Sequence, residues 1–195
     1  MHERQRQVVL LAGPSGSGKS RVARLSGCPS LNLDDFYYDA DHPDLPRTLG
    51  IVDWDDPRSW DAPAAATAVA ELLRTGSADV PRYDLAKSAA VGTHRVDLGE
   101  ARCFIAEGVF AMELADHCRR ADLAVLPLYL DRPRLMVMIM RFCRDLREHR
   151  KPLHILVRRG IALFHADKGL REHAAAVGFR MVSLRQALEL IRTGG

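Results

Sequence analysis

The residues with the clearest chemical purpose are Gly13-Pro14-Ser15-Gly16-Ser17-Gly18-Lys19-Ser20. Their spacing, G-x-x-x-x-G-K-[ST], is that of a phosphate-binding loop. Gly13, Gly16 and Gly18 let backbone N–H groups turn inward around an anion with no Cβ in the way. Ser15 and Ser17 keep the rest of the loop small and polar. Lys19 suits a point charge reaching the β- and γ-phosphates, and the Ser20 hydroxyl suits a Mg²⁺ ligand. An apolar strand run, Val8 to Ala12, precedes the loop, and a helical run from Lys19 to Leu25 follows it. The positive end of that helix then faces the same anion. The expected cofactors are ATP and Mg²⁺.

A metal-bound triphosphate also needs a carboxylate, and open α/β sheets bind ligands at the C-terminal ends of their strands. Asp34, Asp35, Glu107 and Asp131 each close a short apolar run. Glu107, after Phe104-Ile105-Ala106 and before Gly108, is the predicted metal carboxylate. Six of the twelve aromatic residues lie between Phe36 and Tyr83, interleaved with Asp34, Asp35, Asp39, Asp53, Asp55 and Asp56. Rings beside carboxylates suit a polyhydroxylated or nucleoside-like molecule. Phosphoryl transfer to its hydroxyl wants a carboxylate to take the proton.

The elements that must position these residues alternate between short apolar strands and helices. Strand runs occur at Val8–Ala12, Leu31–Leu33, Cys103–Ala106, Ala124–Leu130 and Phe179–Val182. Helices are predicted at Lys19–Leu25, Ala64–Arg74, Met112–Arg120 and Leu184–Arg192, with two more after Asp131 and Pro152. Asp61 and Pro63 mark one helix start, and Ser183 with Gln186 forms a capping box at another. Residues 34–61 read as a binding loop, and 80–97 as a β-hairpin turning at Ala89–Gly92. Trp60 reads as core. The pattern predicts an α/β, P-loop NTPase fold: a five-stranded parallel sheet with helices on both faces and a small hairpin. One domain over residues 1–195 is expected.

Composition limits the alternatives. With 195 residues, 47% apolar and 27% charged, the chain has ordinary globular usage and is not disordered or low-complexity. No apolar run is long enough for a membrane helix, and no secretory leader is read, so a cytoplasmic protein is expected. The net charge of +3 does not call for nucleic acid. Nine Lys/Arg against two acids between Arg132 and Arg159 suit a polyanionic ligand. Cys28, Cys103, Cys118 and Cys143 lack metal-site spacing and read as reduced, mostly buried thiols.

With these residues in view, the chain resembles the uridine kinase-like branch of the P-loop nucleoside and nucleotide kinases over roughly residues 8–151. The resemblance rests on the loop at 13–20, on Asp34-Asp35-Phe36-Tyr37, and on Trp54-Asp55-Asp56-Pro57-Arg58-Ser59-Trp60-Asp61. Pro81-Arg82-Tyr83-Asp84, Glu107-Gly108 and the helix with Arg141, Arg144-Asp145 and Arg150-Lys151 complete it. It implies transfer of the γ-phosphoryl group of ATP to a hydroxyl, most simply the 5′-hydroxyl of a nucleoside. Asp34 would be the general base, near Mg²⁺. Tyr37, Trp54 and Tyr83 would line the nucleoside pocket, Asp55 would hold the ribose hydroxyls, and Glu107 would bind Mg²⁺ through water. Arg141 and Arg144 would belong to a helical lid near 141–152, offsetting charge on the phosphoryl group and contacting the acceptor.

Where that family carries a Phe and then a base-reading His, this chain has Leu85 and Ser88. His94 reads as a surface residue. Pantothenate, a phosphorylated sugar, or simple nucleotide switching therefore stay open beside the nucleoside. The expected partner is a small-molecule acceptor, with no nucleic acid and no membrane; assembly into a homo-oligomer stays open.

Overall fold

Five apolar runs pair side by side as a wholly parallel sheet. The computed structural model describes residues 6–14, 16–48, 50–132 and 169–193. Along the chain lie β1 (Gln7–Ala12), α1 (Lys19–Ser26), β2 (Ser30–Asn32), β3 (Arg47–Thr48), β4 (Ile51–Val52) and α2 (Ala62–Thr75). Then come β5 (Ser77–Asp84), β6 (Ala89–Asp97), β7 (Cys103–Glu107), α3 (Ala111–Arg120) and β8 (Val125–Leu130). Helical residues 169–176 (α4), β9 (Arg180–Val182) and α5 (Leu184–Thr193) follow.

The sheet order is β2-β7-β1-β8-β9. β1 lies at its centre, with Val9 level with Ile105 on one side and Leu126 on the other. A strand covered on both faces needs apolar residues at every position, hence the unbroken Val8-Val9-Leu10-Leu11-Ala12. Side chains alternate between faces. Val8, Leu10, Phe104, Ala106 and Tyr129 pack with Val69 and Leu72 of α2 and Leu114 of α3. Val9, Leu11, Ile105, Leu128 and Leu130 pack with Val22 of α1 and Ile191 of α5. Each fully buried side chain of this kind contributes about 1.5–3 kcal/mol. Among the described residues, no helix is long and apolar enough to cross a membrane.

Local signals set several boundaries as the sequence predicts. The Asp61 carboxylate accepts the Ala64 amide at 2.9 Å and starts α2, and the helix ends at Gly76 in the left-handed region (φ 84°). Ser183 and Gln186 cap α5 reciprocally, with bonds of 2.9 and 3.3 Å. Trp60 is core as expected, its indole N–H donating to the Leu33 carbonyl at 2.7 Å.

Two local expectations are corrected. The hairpin spans Ser77–Asp97 and turns at residues 85–88, not at Ala89–Gly92. Asp84 makes that turn, its Oδ1 accepting the Ala86 amide at 2.9 Å, while Gly92 lies inside β6. Residues 34–61 also hold more structure than a loop. A small antiparallel pair, β3 with β4, and two single helical turns interrupt them. The predicted lid near 141–152 and the helices after Asp131 and Pro152 lie outside the described residues.

Candidate active site

The strand order reverses beside β1, so the C-terminal ends of β1, β7 and β2 open onto one crevice. The phosphate-binding loop occupies it. Gly16 and Gly18 sit at φ 81° and 99°, a region that L side chains rarely adopt. A Cβ on Gly13 would lie 3.0 Å from Ser17 Oγ and 3.2 Å from the Leu130 carbonyl. Ser17 is fully buried, and its Oγ has no hydrogen-bond partner among the described residues. Lys19 folds over the loop, its Nζ donating to the Gly13 carbonyl at 2.8 Å. No side chain caps α1 and no acid lies in its first turn, leaving its positive end suited to an anion. Ser15 lies outside the described residues.

Glu107 ends β7, and Ser20 Oγ donates to its Oε2 at 3.3 Å. Alternation explains the meeting, because Cys103, Ile105 and Glu107 share the face on which α1 packs. Burial raises the Glu107 carboxyl above its ordinary range; the Ser20 bond and Lys19 oppose this, and Asp34 adds to it. Asp34 stands next door. Asn32 is level with Glu107 across the β2–β7 pair, and its side chain accepts the Asp34 amide at 3.2 Å. Burial raises the Asp34 carboxyl, against a hydrogen bond from the Val109 backbone and the charge of Lys19. Asp34 Oδ1 is buried with no hydrogen-bond partner among the described residues.

The donors around this point, Ser20 Oγ and the Glu107 and Asp34 carboxylates, are all hard oxygens. Among the described residues, no cluster of three or more His, Cys, Asp or Glu forms a closed metal cage. That sparse oxygen set, with a buried orphan carboxylate oxygen, fits Mg²⁺, which binds through one or two carboxylates plus phosphate and water.

On the other side of Asp34 the aromatic residues converge. The Tyr37 ring lies 5.6 Å from that of Trp54, 5.8 Å from Tyr83 and 5.7 Å from Phe110. Its hydroxyl donates to the Trp54 carbonyl at 3.2 Å. Burial first, then the charges of Asp34 and Asp55, push the Tyr37 phenol upward, so it stays a neutral donor. Asp55 is exposed at the rim.

Other candidates part from this group. Asp35 accepts the Tyr83 amide at 3.1 Å. Asp131 pairs with Arg171 at 2.9 Å. His94 is half-buried rather than on the surface, because it lies level with the fully buried Val80 on the hairpin. Arg141 and Arg144 lie outside the described residues. Two neighbours were not read from the sequence as site residues. Phe110 reaches the aromatic group just after β7, and the Arg132 guanidinium lies 3.7 Å from where a Gly18 Cβ would stand. Both follow strand ends, the signal that could have found them.

No family model matches the chain. Uridine-cytidine kinase C of Dictyostelium discoideum is 30% identical over 110 residues, covering 54% of this chain and 23% of that protein. Uridine kinase of Listeria monocytogenes serotype 4a is 28% identical over 158 residues, covering 77% of this chain and 73% of that one. In sequence the chain is thus similar to uridine kinases, at low identity. It spans less than a quarter of the Dictyostelium protein. A Silicibacter protein provisionally named fructose transport system kinase superposes with a TM-score of 0.62 over 93% of this chain and 89% of that one, at 22% identity. That likeness shows the shared fold alone: a P-loop-type α/β sheet, five-stranded and parallel, with helices.

Proposed function

We propose that this uridine kinase-like chain is an ATP- and Mg²⁺-dependent small-molecule kinase that phosphorylates a hydroxyl, most simply the 5′-hydroxyl of a nucleoside. One observation carries the reading. Asp34, its Oδ1 buried without a hydrogen-bond partner among the described residues, follows Asn32, which is level with the Glu107 that Ser20 bonds, and precedes Tyr37, whose ring meets Trp54, Tyr83 and Phe110. A base between a phosphate-binding lysine and an aromatic pocket is what transfer to a bound alcohol requires.

In this mechanism Gly13, Ser15, Gly16, Ser17, Gly18, Lys19 and Ser20 hold the triphosphate. Ser20, and Glu107 through water, would hold Mg²⁺, which when bound would offset phosphate charge. Tyr37, Trp54 and Tyr83 orient the acceptor and Asp55 takes its hydroxyls. Asp34 accepts the hydroxyl proton as the acceptor oxygen forms its bond to the γ-phosphorus and the bond to the bridging oxygen breaks. Arg141 and Arg144 close over the phosphoryl group and offset its charge. Positioning and charge carry the rate, with no covalent step on the protein.

A second acceptor class is favoured by one feature of the hairpin. Leu85, at a base-reading position of the resembled family, is 67% exposed, and the Ser88 carbonyl accepts the Ala40 amide. A pocket without those partners loses its discrimination for a pyrimidine. Pantothenate or a phosphorylated sugar then competes as acceptor.

The test is ADP release with Mg-ATP, with and without each ribonucleoside, deoxyribonucleoside, pantothenate, fructose and ribulose 5-phosphate. Stimulation by a pyrimidine ribonucleoside supports the first reading. Stimulation by another compound keeps the chemistry and replaces the acceptor. ATP bound with no acceptor-dependent turnover, in wild type and Asp34→Asn alike, points to a nucleotide switch and overturns both.

A further inference from the structure

The two half-buried thiols of Cys28 and Cys103 lie with their sulfurs 3.3 Å apart, 75 residues apart in sequence, away from the nucleotide crevice. Strand register brings them together. Ser30 is level with Ile105, and the Ile105 amide donates to the Pro29 carbonyl at 2.9 Å. Two residues back along both strands, Cys28 stands beside Cys103 on one face of the sheet. Adjacent strands run about 4.7–4.9 Å apart, inside the window of about 4.4–6.8 Å between Cα atoms that a disulfide spans. Both thiols belong to the face packed by α1 and α5, whereas Cys118 is fully buried on the opposite face.

We propose that Cys28 and Cys103 are a disulfide-forming pair, oxidised by a small peroxide, that staples edge strand β2 to β7. Burial first, then the neighbouring Cys28 thiol, push the Cys103 thiol up to about 12. The two thiols titrate as a pair, and the thiolate of one is oxidised first. It attacks hydrogen peroxide, the O–O bond breaks, and with one proton the products are a sulfenic acid and water. The partner sulfur then displaces the hydroxyl from the sulfenic sulfur, and its proton leaves with that hydroxyl as a second water. Two thiols are oxidised, one peroxide is reduced, and one S–S bond forms.

The consequence lies in what the bond encloses. β2 is a three-residue edge strand whose C-terminal end leads directly into Asp34. The chain between the two cysteines includes Tyr37, Trp54, α2 and the whole hairpin. One cross-link thus closes the entire acceptor side into a loop, which lowers the entropy of the unfolded chain without moving strands already paired.

The test uses the full chain, reduced, freed of reductant and treated with hydrogen peroxide. Expected are a mass loss of about 2 Da, a linked peptide joining Cys28 to Cys103, and a Tm rise of about 5 °C or more. Dithiothreitol should reverse all three. Cys28→Ser and Cys103→Ser should abolish the link, and Cys118→Ser should keep it. The proposal is overturned by both thiols still alkylating after peroxide treatment, by a linked peptide that joins either to Cys118 or Cys143, or by an unchanged Tm in the linked protein. None of these readouts depends on kinase activity, so failure here leaves the functional reading intact.

Discussion

Asp35 holds Tyr83. Its Oδ1 accepts the Tyr83 backbone amide at 3.1 Å, across 48 residues of chain. Asp39 repeats the device four residues on, its Oδ1 accepting the Ala90 amide at 2.7 Å. The Tyr83 hydroxyl returns the contact by donating to the Tyr38 carbonyl at 3.0 Å. The segment that carries Asp34 is thereby latched to both strands of the hairpin. Adjacent acids are placed differently: Asp34 Oδ1 is buried without a hydrogen-bond partner among the described residues, and Asp35 holds the strand that carries Tyr83. Asp35→Ala should therefore raise the acceptor KM by about 10- to 100-fold, since one charge-assisted hydrogen bond contributes about 1.5–3 kcal/mol. The kcat should fall far less. Asp35→Asn keeps an acceptor oxygen and should restore most of the lost affinity. Steady-state kinetics with the acceptor found in the panel checks both.

Asp34→Asn should lower kcat by about 10²–10⁴-fold, the usual worth of a positioned base. Nucleotide affinity should be unchanged, because the lysine and the loop amides are intact. Calorimetric titration with an ATP analogue beside the rate measurement separates the two. Equal loss of both would remove Asp34 from the role of base.

The raised carboxyl of Asp34 has opposite consequences for rate and stability. Its folded-state pKa lies above the unfolded value of 3.8 because burial disfavours the charge. Between those values the folded chain binds more protons than the unfolded chain, so stability falls as pH rises through the folded pKa. If Asp34 is the proposed base, the rate should rise over the same window, since a base must be ionised. Asp34→Asn should thus raise Tm at pH 7, with a smaller gain near pH 4. Thermal melts of both proteins at the two pH values check the sign.

Gly108→Ala tests how tightly Asp34 is held. A Cβ there would lie 2.6 Å from Leu33 Cβ and 3.1 Å from Asp34 Oδ1. Neither neighbour is the far end of a long flexible chain, so the turn carrying Asp34 must shift. A stability loss of about 1–3 kcal/mol is expected from denaturant melts, as for other overpacked sites. The kcat should drop with it.

Glu107→Gln removes one negative charge beside Ser20, which donates to it at 3.3 Å. The concentration of Mg²⁺ for half-maximal activity should rise about tenfold or more, the usual range for loss of a supporting metal contact. Excess Mg²⁺ should restore most of the rate. A magnesium titration at fixed ATP checks this; an unchanged requirement places the metal elsewhere.

Some of this was legible from the residues alone. An unbroken apolar run such as Val8–Ala12 is stable only with both faces covered, and glycine spacing over 13–20 suits an anion. These are local facts, so the parallel sheet, the phosphate loop and the acids at strand ends could be read directly. Trp60 as core and the capping of α2 and α5 were likewise local. What each acid at a strand end does was not local. Asp34, Asp35 and Asp131 follow similar runs, yet one is half-buried with its Oδ1 unpartnered among the described residues, one binds the Tyr83 amide and one pairs with Arg171. Strand register and long-range hydrogen bonds settle that division, and neither leaves a short-range mark. The hairpin turn was misplaced for a related reason. Gly92 suggested the bend, but the Asp84 side chain, bonded to the amides after it, forms the turn earlier. The sequence by itself determined which chemical groups stand at the ends of the strands; only tertiary pairing decided which of them meet, because that depends on contacts between residues far apart along the chain.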